Sequence, residues 1–141
     1  MKRMGYAIWK GDLKTGVGTT STESGVLKNA KYGFSTRFED GPGTNPEELI
    51  GAAHASCFSM ALSLILSEHG LTADQIATTA TVKLDKVDGG FAVTAVHLDM
   101  VADIPGASED TFMAAAEAAK SGCPISKLLN AEITLSAKLN S

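Results

Sequence analysis

The hydrophobic positions change their spacing several times along the chain, and each change marks an element. Tyr6–Trp9 forms a short apolar stretch, Lys10–Gly16 is rich in turn residues, and Val17–Ser24 is Thr-rich and weakly amphipathic. In Lys31–Glu39 the residues Tyr32, Phe34, Thr36 and Phe38 alternate with Gly33, Ser35 and Arg37. Three short strands are predicted, the third with an aromatic face and Arg37 on the opposite one. Asp40–Pro46 then breaks the alternation and opens a helix: Asn45 can cap, Pro46 suits the first position, and Glu47 and Glu48 meet the positive end of the helix dipole. The helix runs to about His69 with Gly70 as its stop, roughly 33 Å at 1.5 Å per residue. Its apolar residues, from Leu49 to Leu66, cover most of the circumference, as in a central helix.

Past a connection with a helical turn at Thr72–Ile76, the period becomes two. Ala77–Lys86 and Phe91–Val101 flank an Asp-Gly-Gly hairpin signal, with Val96, Leu98 and Met100 on one face and His97 and Asp99 on the other. Ser108 caps a second helix that Gly122 stops, and Cys123 then stands in the cap position of a short helix with Pro124 in its first turn. Ala131–Asn140 closes the chain as a strand, with Ile133, Leu135, Ala137 and Leu139 on one face. The order predicts an α+β fold in which an antiparallel sheet wraps against helices. One small sheet cannot cover a helix this apolar, so a homodimer is expected in which the long helix packs against the second subunit.

At 141 residues the chain is one domain long and can bury a core unaided. A net charge of -4 leaves no basic patch for nucleic acid. The amino end lacks the apolar run of a secretory signal, which points to the cytoplasm. The uncharged run from Leu49 to Ser67 is long enough to cross a membrane, but its internal Gly51, His54 and serines and its acidic flanks argue against a span. The two cysteines, Cys57 and Cys123, form no Cys-x-x-Cys, and the three histidines show no metal-ligand spacing, so no metal is expected.

Cys57 sits near the middle of the long helix. A buried core thiol is the usual role of such a residue. Three features favour chemistry instead: a second cysteine at a helix amino terminus, where backbone N–H groups favour a thiolate, Arg37 on the strand before the helix, and two carboxylates able to orient it. The matching reaction is attack by a thiolate on a peroxide, with a cation to hold the charge and a second thiol to capture the sulfenic acid. Arg37 and Cys123 are the candidates for these two parts. An apolar wall from Phe58 and Met60 would favour organic hydroperoxides, by ~0.8 kcal/mol per buried CH₂.

The segment from Ser35 to Leu64, with "AHASCFSMALSL" around Cys57, then "SGCPISKLL" and a terminal strand, resembles the OsmC/Ohr family, in particular its osmotically inducible protein C branch. The resemblance covers essentially the whole chain, residues 1–141, as a single OsmC-like domain. It implies a thiol-dependent peroxidase that reduces organic hydroperoxides in oxidative or osmotic stress, built as an intertwined homodimer with its site at the subunit interface. On this pattern Cys57 is the peroxidatic cysteine and Cys123 the resolving one, joined as a disulfide in the cycle. Arg37 stabilises the thiolate and Glu47 holds the arginine, with no departure at these four positions. No cofactor is implied beyond an external dithiol reductant of lipoyl type. A reading from another class is a non-enzymatic small-molecule binding protein that uses the same apolar cleft, with both thiols ordinary.

Glu47 and Cys57 lie about 15 Å and roughly 80° apart on a straight helix, too far for one compact site. If two helices cross antiparallel at Gly51, Ala52 and Ala53, residue 47 of one faces residue 57 of the other, and each site becomes composite. His54, one turn before Cys57, reads either as an aid to proton transfer or, more simply, as a packed histidine. Glu48 reads as a helix-start carboxylate.

Overall fold

The computed structural model describes residues 1–140, and the chain forms two compact units, Met1–Leu49 and the residues from Ile50 onward. In the first, β1 (Gly5–Lys10), β2 (Val17–Thr22) and β3 (Ala30–Tyr32) make an antiparallel meander in which Ile8 faces Thr19 and Thr19 faces Lys31. Every residue of β1 is exposed, Tyr6 and Ile8 among them.

The third strand is shorter than its alternation predicts, and Arg37 does not stand on a strand. The backbone turns at Gly33 into a single helical turn, α1 (Phe34–Phe38). Thr36 explains the change: its Oγ1 accepts from the Gly33 N–H at 2.8 Å and donates to the Gly33 carbonyl at 3.0 Å, so a side chain takes the backbone groups a strand would have paired. The helical turn also brings Phe34 and Phe38 together, with ring centroids 5.0 Å apart, which extended chain would hold farther apart.

Helix α2 (Pro46–Glu68) forms as its sequence predicts. Asn45 Oδ1 accepts from the Glu48 N–H at 2.8 Å, and the Thr44 hydroxyl donates to Glu48 at 2.8 Å, so Glu48 is a helix-start carboxylate. At the other end Gly70 takes φ +70°, with Leu71 N–H to the Leu66 carbonyl and Gly70 N–H to the Ser67 carbonyl, the paired bonds of a left-handed helix stop.

In the second unit, β4 (Gln75–Val87) and β5 (Gly90–Asp103) form a long antiparallel hairpin, followed by α3 (Glu109–Gly122), α4 (Pro124–Leu128) and β6 (Glu132–Asn140). The expected helical turn at Thr72–Ile76 is absent, because Gln75 and Ile76 already pair with Asp103 and Ala102. The sheet is not wholly antiparallel either. Strand β6 runs parallel to β5, Val96 beside Ile133 and Leu98 beside Leu135. The chain leaves β5, crosses through α3 and α4 and returns in the same direction, which a helical crossover permits and a hairpin does not. The two sheets, β1-β2-β3 and β4-β5-β6, are separate.

The core of this unit lies between the sheet and the helices. Val96, Leu98 and Met100 of β5 meet Phe58, Leu62 and Leu66 of α2 and Phe112, Ala115, Ala116 and Ala119 of α3, all buried. Helix α2 contributes a narrow stripe, Gly51, His54, Phe58, Leu62 and Leu66, at the three- and four-residue spacing of one face. Gly51 is set against β4: a Cβ there would stand 3.2 Å from the Ala80 carbonyl oxygen. It is therefore not free to form the small-residue crossing with a second helix expected of it, although Ala52 and Ala53 are exposed. Ser59 ties the same contact, its hydroxyl donating to the Ala55 carbonyl and lying 2.8 Å from the Thr78 hydroxyl. The other side of α2 is apolar and uncovered, with Met60 75% and Leu64 64% exposed.

His54 is the one charged-type side chain in the buried stripe, and burial holds its pKa below the ordinary 6.5. The unfolded chain takes up this proton as pH falls through 6.5 while the folded chain resists it. The stability that neutral His54 confers is thus fully present above that pH and is lost below it, until the folded group itself titrates. Urea unfolding at about pH 7.5 and about pH 5 should show the native chain losing more stability on acidification than His54→Gln; equal losses would assign the dependence to other groups.

Candidate active site

Cys57 and Cys123 arrive from different elements. Cys57 stands on the border of the buried stripe of α2 and is half-buried. Cys123 is fully buried at the junction where α3 ends and α4 begins, and it caps α4: its Sγ accepts from the Ser126 N–H at 3.4 Å, with Pro124 in the first turn. Both thiols are free. The junction sets Cys123 and the Ile125 N–H close enough to Cys57 to act on its ionisation. Two thiols far apart in sequence thus share one place, which loop length alone could not establish.

The electrostatics within this unit run against an acidified Cys57. Burial, first of all, pushes the thiol up from its ordinary 9.0, the Ile125 N–H pulls it down, and the hydrogen bond and charge of Cys123 raise it again. These neighbours by themselves do not supply the thiolate that attack on a peroxide requires. A thiol in apolar surroundings ionises readily only beside a cation or several N–H donors.

Arg37 and Glu47 are brought together in the first unit. Glu47 Oε1 accepts from Arg37 Nη2 at 2.7 Å and from Nε at 3.1 Å, a side-on pair in which two N–H groups address one carboxylate. Glu47 is fixed by the first turn of α2, and Arg37 by α1, with its guanidinium 5.5 Å from the Phe38 ring centre. Asn45 joins these two segments, donating from Nδ2 to the Thr36 carbonyl at 3.1 Å. Glu47 is the more covered partner, its side chain 12% exposed against 39% for Arg37. The carboxylate thus orients the arginine and leaves part of the guanidinium open to another group.

A second set of polar groups lies behind the cysteines. His54 Nε2 and Ser126 Oγ are 2.7 Å apart, Ser126 Oγ and Cys123 Sγ 3.2 Å apart, and all three side chains are buried. His54 Nδ1 has no partner. Ser126 carries no sequence motif on which to single it out. Its signal was positional, since it stands three residues past the residue that caps a helix, where side chains of cap and third position meet. His97, on the outer face of β5, instead lies within 2.6 Å of Thr134 and 3.1 Å of Ser136 on β6, a strand-to-strand tie far from the helix stripe in its sheet position.

On the open side of Cys57 lies an apolar groove of about 890 Å³, lined by Met60, Leu64, Ile65, Ala118 and Ile125 among others. Among the described residues no three His, Cys, Asp or Glu side chains are grouped as a metal site would require. Helix α2 is long and apolar enough to cross a membrane by composition, and here it serves as the core helix of the second unit.

Known proteins resemble the chain over most of its length. The chain is 58% identical over 139 residues to the peroxiredoxin OsmC of Escherichia coli (strain K12), covering 99% of this chain and 97% of that one. It is 27% identical over 123 residues to the organic hydroperoxide resistance protein OhrB of Bacillus subtilis, covering 86% and 88%. The crystal structure of OhrB superposes with a TM-score of 0.71 at 25% identity, covering 96% of this chain and 98% of OhrB. An OsmC-like protein from Mycoplasma pneumoniae has the same fold, with a TM-score of 0.77 at 16% identity over 100% and 99% of the chains. The OsmC-like protein family matches residues 39–138, a span that holds both cysteines, Glu47 and nearly all of the second unit, and the chain belongs to that family.

Proposed function

We propose that the protein is a cysteine-based peroxidase that reduces organic hydroperoxides to alcohols. The observation that carries this reading is that Cys57, half-buried at the edge of an apolar groove, packs against the core cluster that holds the buried Cys123 and feels its charge. In the first step the Cys57 thiolate attacks the terminal oxygen of the hydroperoxide; the O–O bond breaks, an alcohol leaves and Cys57 becomes a sulfenic acid. Cys123 then attacks that sulfur, water departs and a Cys57 to Cys123 disulfide forms. An external dithiol, for which a lipoyl-type compound is the proposed class, reduces the disulfide and leaves as its own cyclic disulfide. The groove suits the hydrocarbon part of an organic substrate, at ~0.8 kcal/mol for each CH₂ withdrawn from water. Two free thiols suit a reducing compartment, which supports the cytoplasm, and the relatives' names support a role in peroxide stress.

The cation required by Cys57 comes in this reading from Arg37, held by Glu47. Since Arg37 and Glu47 form one pair, they act together, and the proposed assembly is a homodimer in which each site takes its cysteines from one chain and the Arg37 and Glu47 pair from the other. The uncovered apolar residues, Met60 and Leu64 on α2 and Ile8 on β1, support such a dimer.

Mixed with one equivalent of tert-butyl hydroperoxide, the reduced protein should lose both thiols and gain the intramolecular disulfide faster than with hydrogen peroxide; persistence of both thiols would end the peroxidase reading. Cys57→Ser should abolish turnover, whereas Cys123→Ser should complete a single oxidation and then accumulate over-oxidised Cys57, read by intact mass. Co-refolding inactive Cys57→Ser with inactive Glu47→Ala chains should restore activity in the heterodimer, up to about one intact site per pair, and no recovery would exclude the shared site. Leu64→Asp is expected to shift the protein to monomer in sedimentation velocity and to lower activity with it; an unchanged dimer would place the interface elsewhere.

A further inference from the structure

Ser126 and His54, buried in line behind Cys123, have no part in the steps above, and the geometry of the three is that of a proton path. We propose that Ser126 and His54 relay the proton of Cys123: the thiol gives its proton to Ser126 Oγ as Ser126 passes its own to His54 Nε2, so that Cys123 attacks the Cys57 sulfenic acid as a thiolate. This rests on the peroxidase reading and concerns its second step.

The contacts are in order along one path. Cys123 Sγ to Ser126 Oγ is 3.2 Å and Ser126 Oγ to His54 Nε2 is 2.7 Å, both within hydrogen-bond reach, and each atom can donate or accept as the relay requires. The path is sheltered: His54 and Cys123 are 0% exposed and Ser126 is 8% exposed, so at neutral pH water takes the proton from a buried thiol slowly. The imidazole rests neutral, since burial is the influence that shifts it and no charged group contributes, and the neutral form is the one that accepts. The titratable groups adjoining the line are the two thiols, Cys57 from α2 and Cys123 from the α3–α4 junction. A histidine serving only to pack the core and bond Ser126 is the competing explanation, and it requires only the 2.7 Å hydrogen bond, not a base, at this position.

The step balances. A bond forms between the sulfurs of Cys123 and Cys57 and the S–O bond of the sulfenic acid breaks. Hydroxide leaves and is protonated to water, and the imidazolium returns to neutral, so one water is released and no net proton is gained or lost. When the external dithiol reopens the disulfide, the path runs backward and returns a proton to the departing Cys123.

His54→Gln separates the two explanations, because an amide can still bond Ser126 but cannot take the proton; Ser126→Ala cuts the path, and Ser126→Thr restores a hydroxyl. Each variant is mixed rapidly with tert-butyl hydroperoxide, quenched with dimedone and read by intact mass, which gives the rate of disulfide closure relative to the rate of Cys57 oxidation in the same protein. At pH 7 this ratio should fall tenfold or more in both His54→Gln and Ser126→Ala, recover in Ser126→Thr, and approach the native value near pH 9, where hydroxide replaces the relay as base. An unchanged ratio, or a deficit of equal size at both pH values, would overturn the relay and leave His54 a packing residue. Should His54→Gln fail to fold, Ser126→Ala and Ser126→Thr decide the matter alone. Failure of native Cys57 to be oxidised at all is a different result, since it removes the peroxidase reading and with it the step the relay serves.

Discussion

Helix α2 is apolar over more of its surface than one three-stranded sheet can cover, and the sheet β4-β5-β6 takes only the stripe from Gly51 through Leu66. Phe58, Leu62 and Leu66 meet Val96, Leu98 and Met100 there, and burying side chains of this size contributes roughly 1.5–3 kcal/mol each. That contact fixes the rotation of α2 about its own axis, and the rotation decides which residues face the core and which face outward. His54 is turned in, Met60 and Leu64 are turned out, and Cys57 lies at the boundary. A turn of the helix by one residue position would bury Cys57 or strand Leu62.

The boundary position serves the proposed chemistry. A peroxidatic sulfur needs access from the groove on one side and a thiol partner on the other, and the edge of a buried stripe offers both. The partner is supplied by a second junction. Helix α3 packs its alanine face on the same core and stops at Gly122, so Cys123 begins a new helix against α2 and its sulfur takes the cap position. Small residues let α3 lie close on β6, since Ala115, Ala116 and Ala119 bring little bulk to the packed face.

Much of this was legible in the sequence where one local rule dominated. The ends of α2 followed from Asn45 and Gly70, and the inward faces of β5 and β6 from period-two alternation. The failures have physical causes. Lys31–Glu39 alternates like a strand, but Thr36 folds back on Gly33 and converts the segment to a helical turn; a side-chain bond to nearby backbone outweighed the hydrophobic pattern. The parallel course of β6 was hidden because alternation reports which face a strand buries and not its direction. Gly51 read as a small residue for a helix crossing, while its smallness is spent on the Ala80 backbone. Of the proposed site, Cys57, Cys123, Arg37 and Glu47 could be named from the resemblance, but Ser126 could not, since a serine becomes conspicuous only when a buried histidine and a thiol lie on either side of it.

The raised pKa of Cys57 connects these points. A thiol pushed up by burial and by a neighbouring thiol is a poor nucleophile near neutral pH, so the second unit by itself holds an apolar groove and a second thiol but not the charge that would ionise its sulfur. The first unit holds the complementary part: a guanidinium oriented by a carboxylate through two N–H bonds and still partly open. Burial on one side and an aimed cation on the other are what a reactive thiol requires, because the same low-polarity surroundings that penalise an isolated thiolate strengthen its attraction to an adjacent positive group. An apolar helix face that demands a partner, and a sulfur that demands a charge, would be met by the same event if the second copy of the chain brings its Arg37 and Glu47 pair to the Cys57 groove. Assembly would then supply the charge that Cys57 lacks as well as cover the helix.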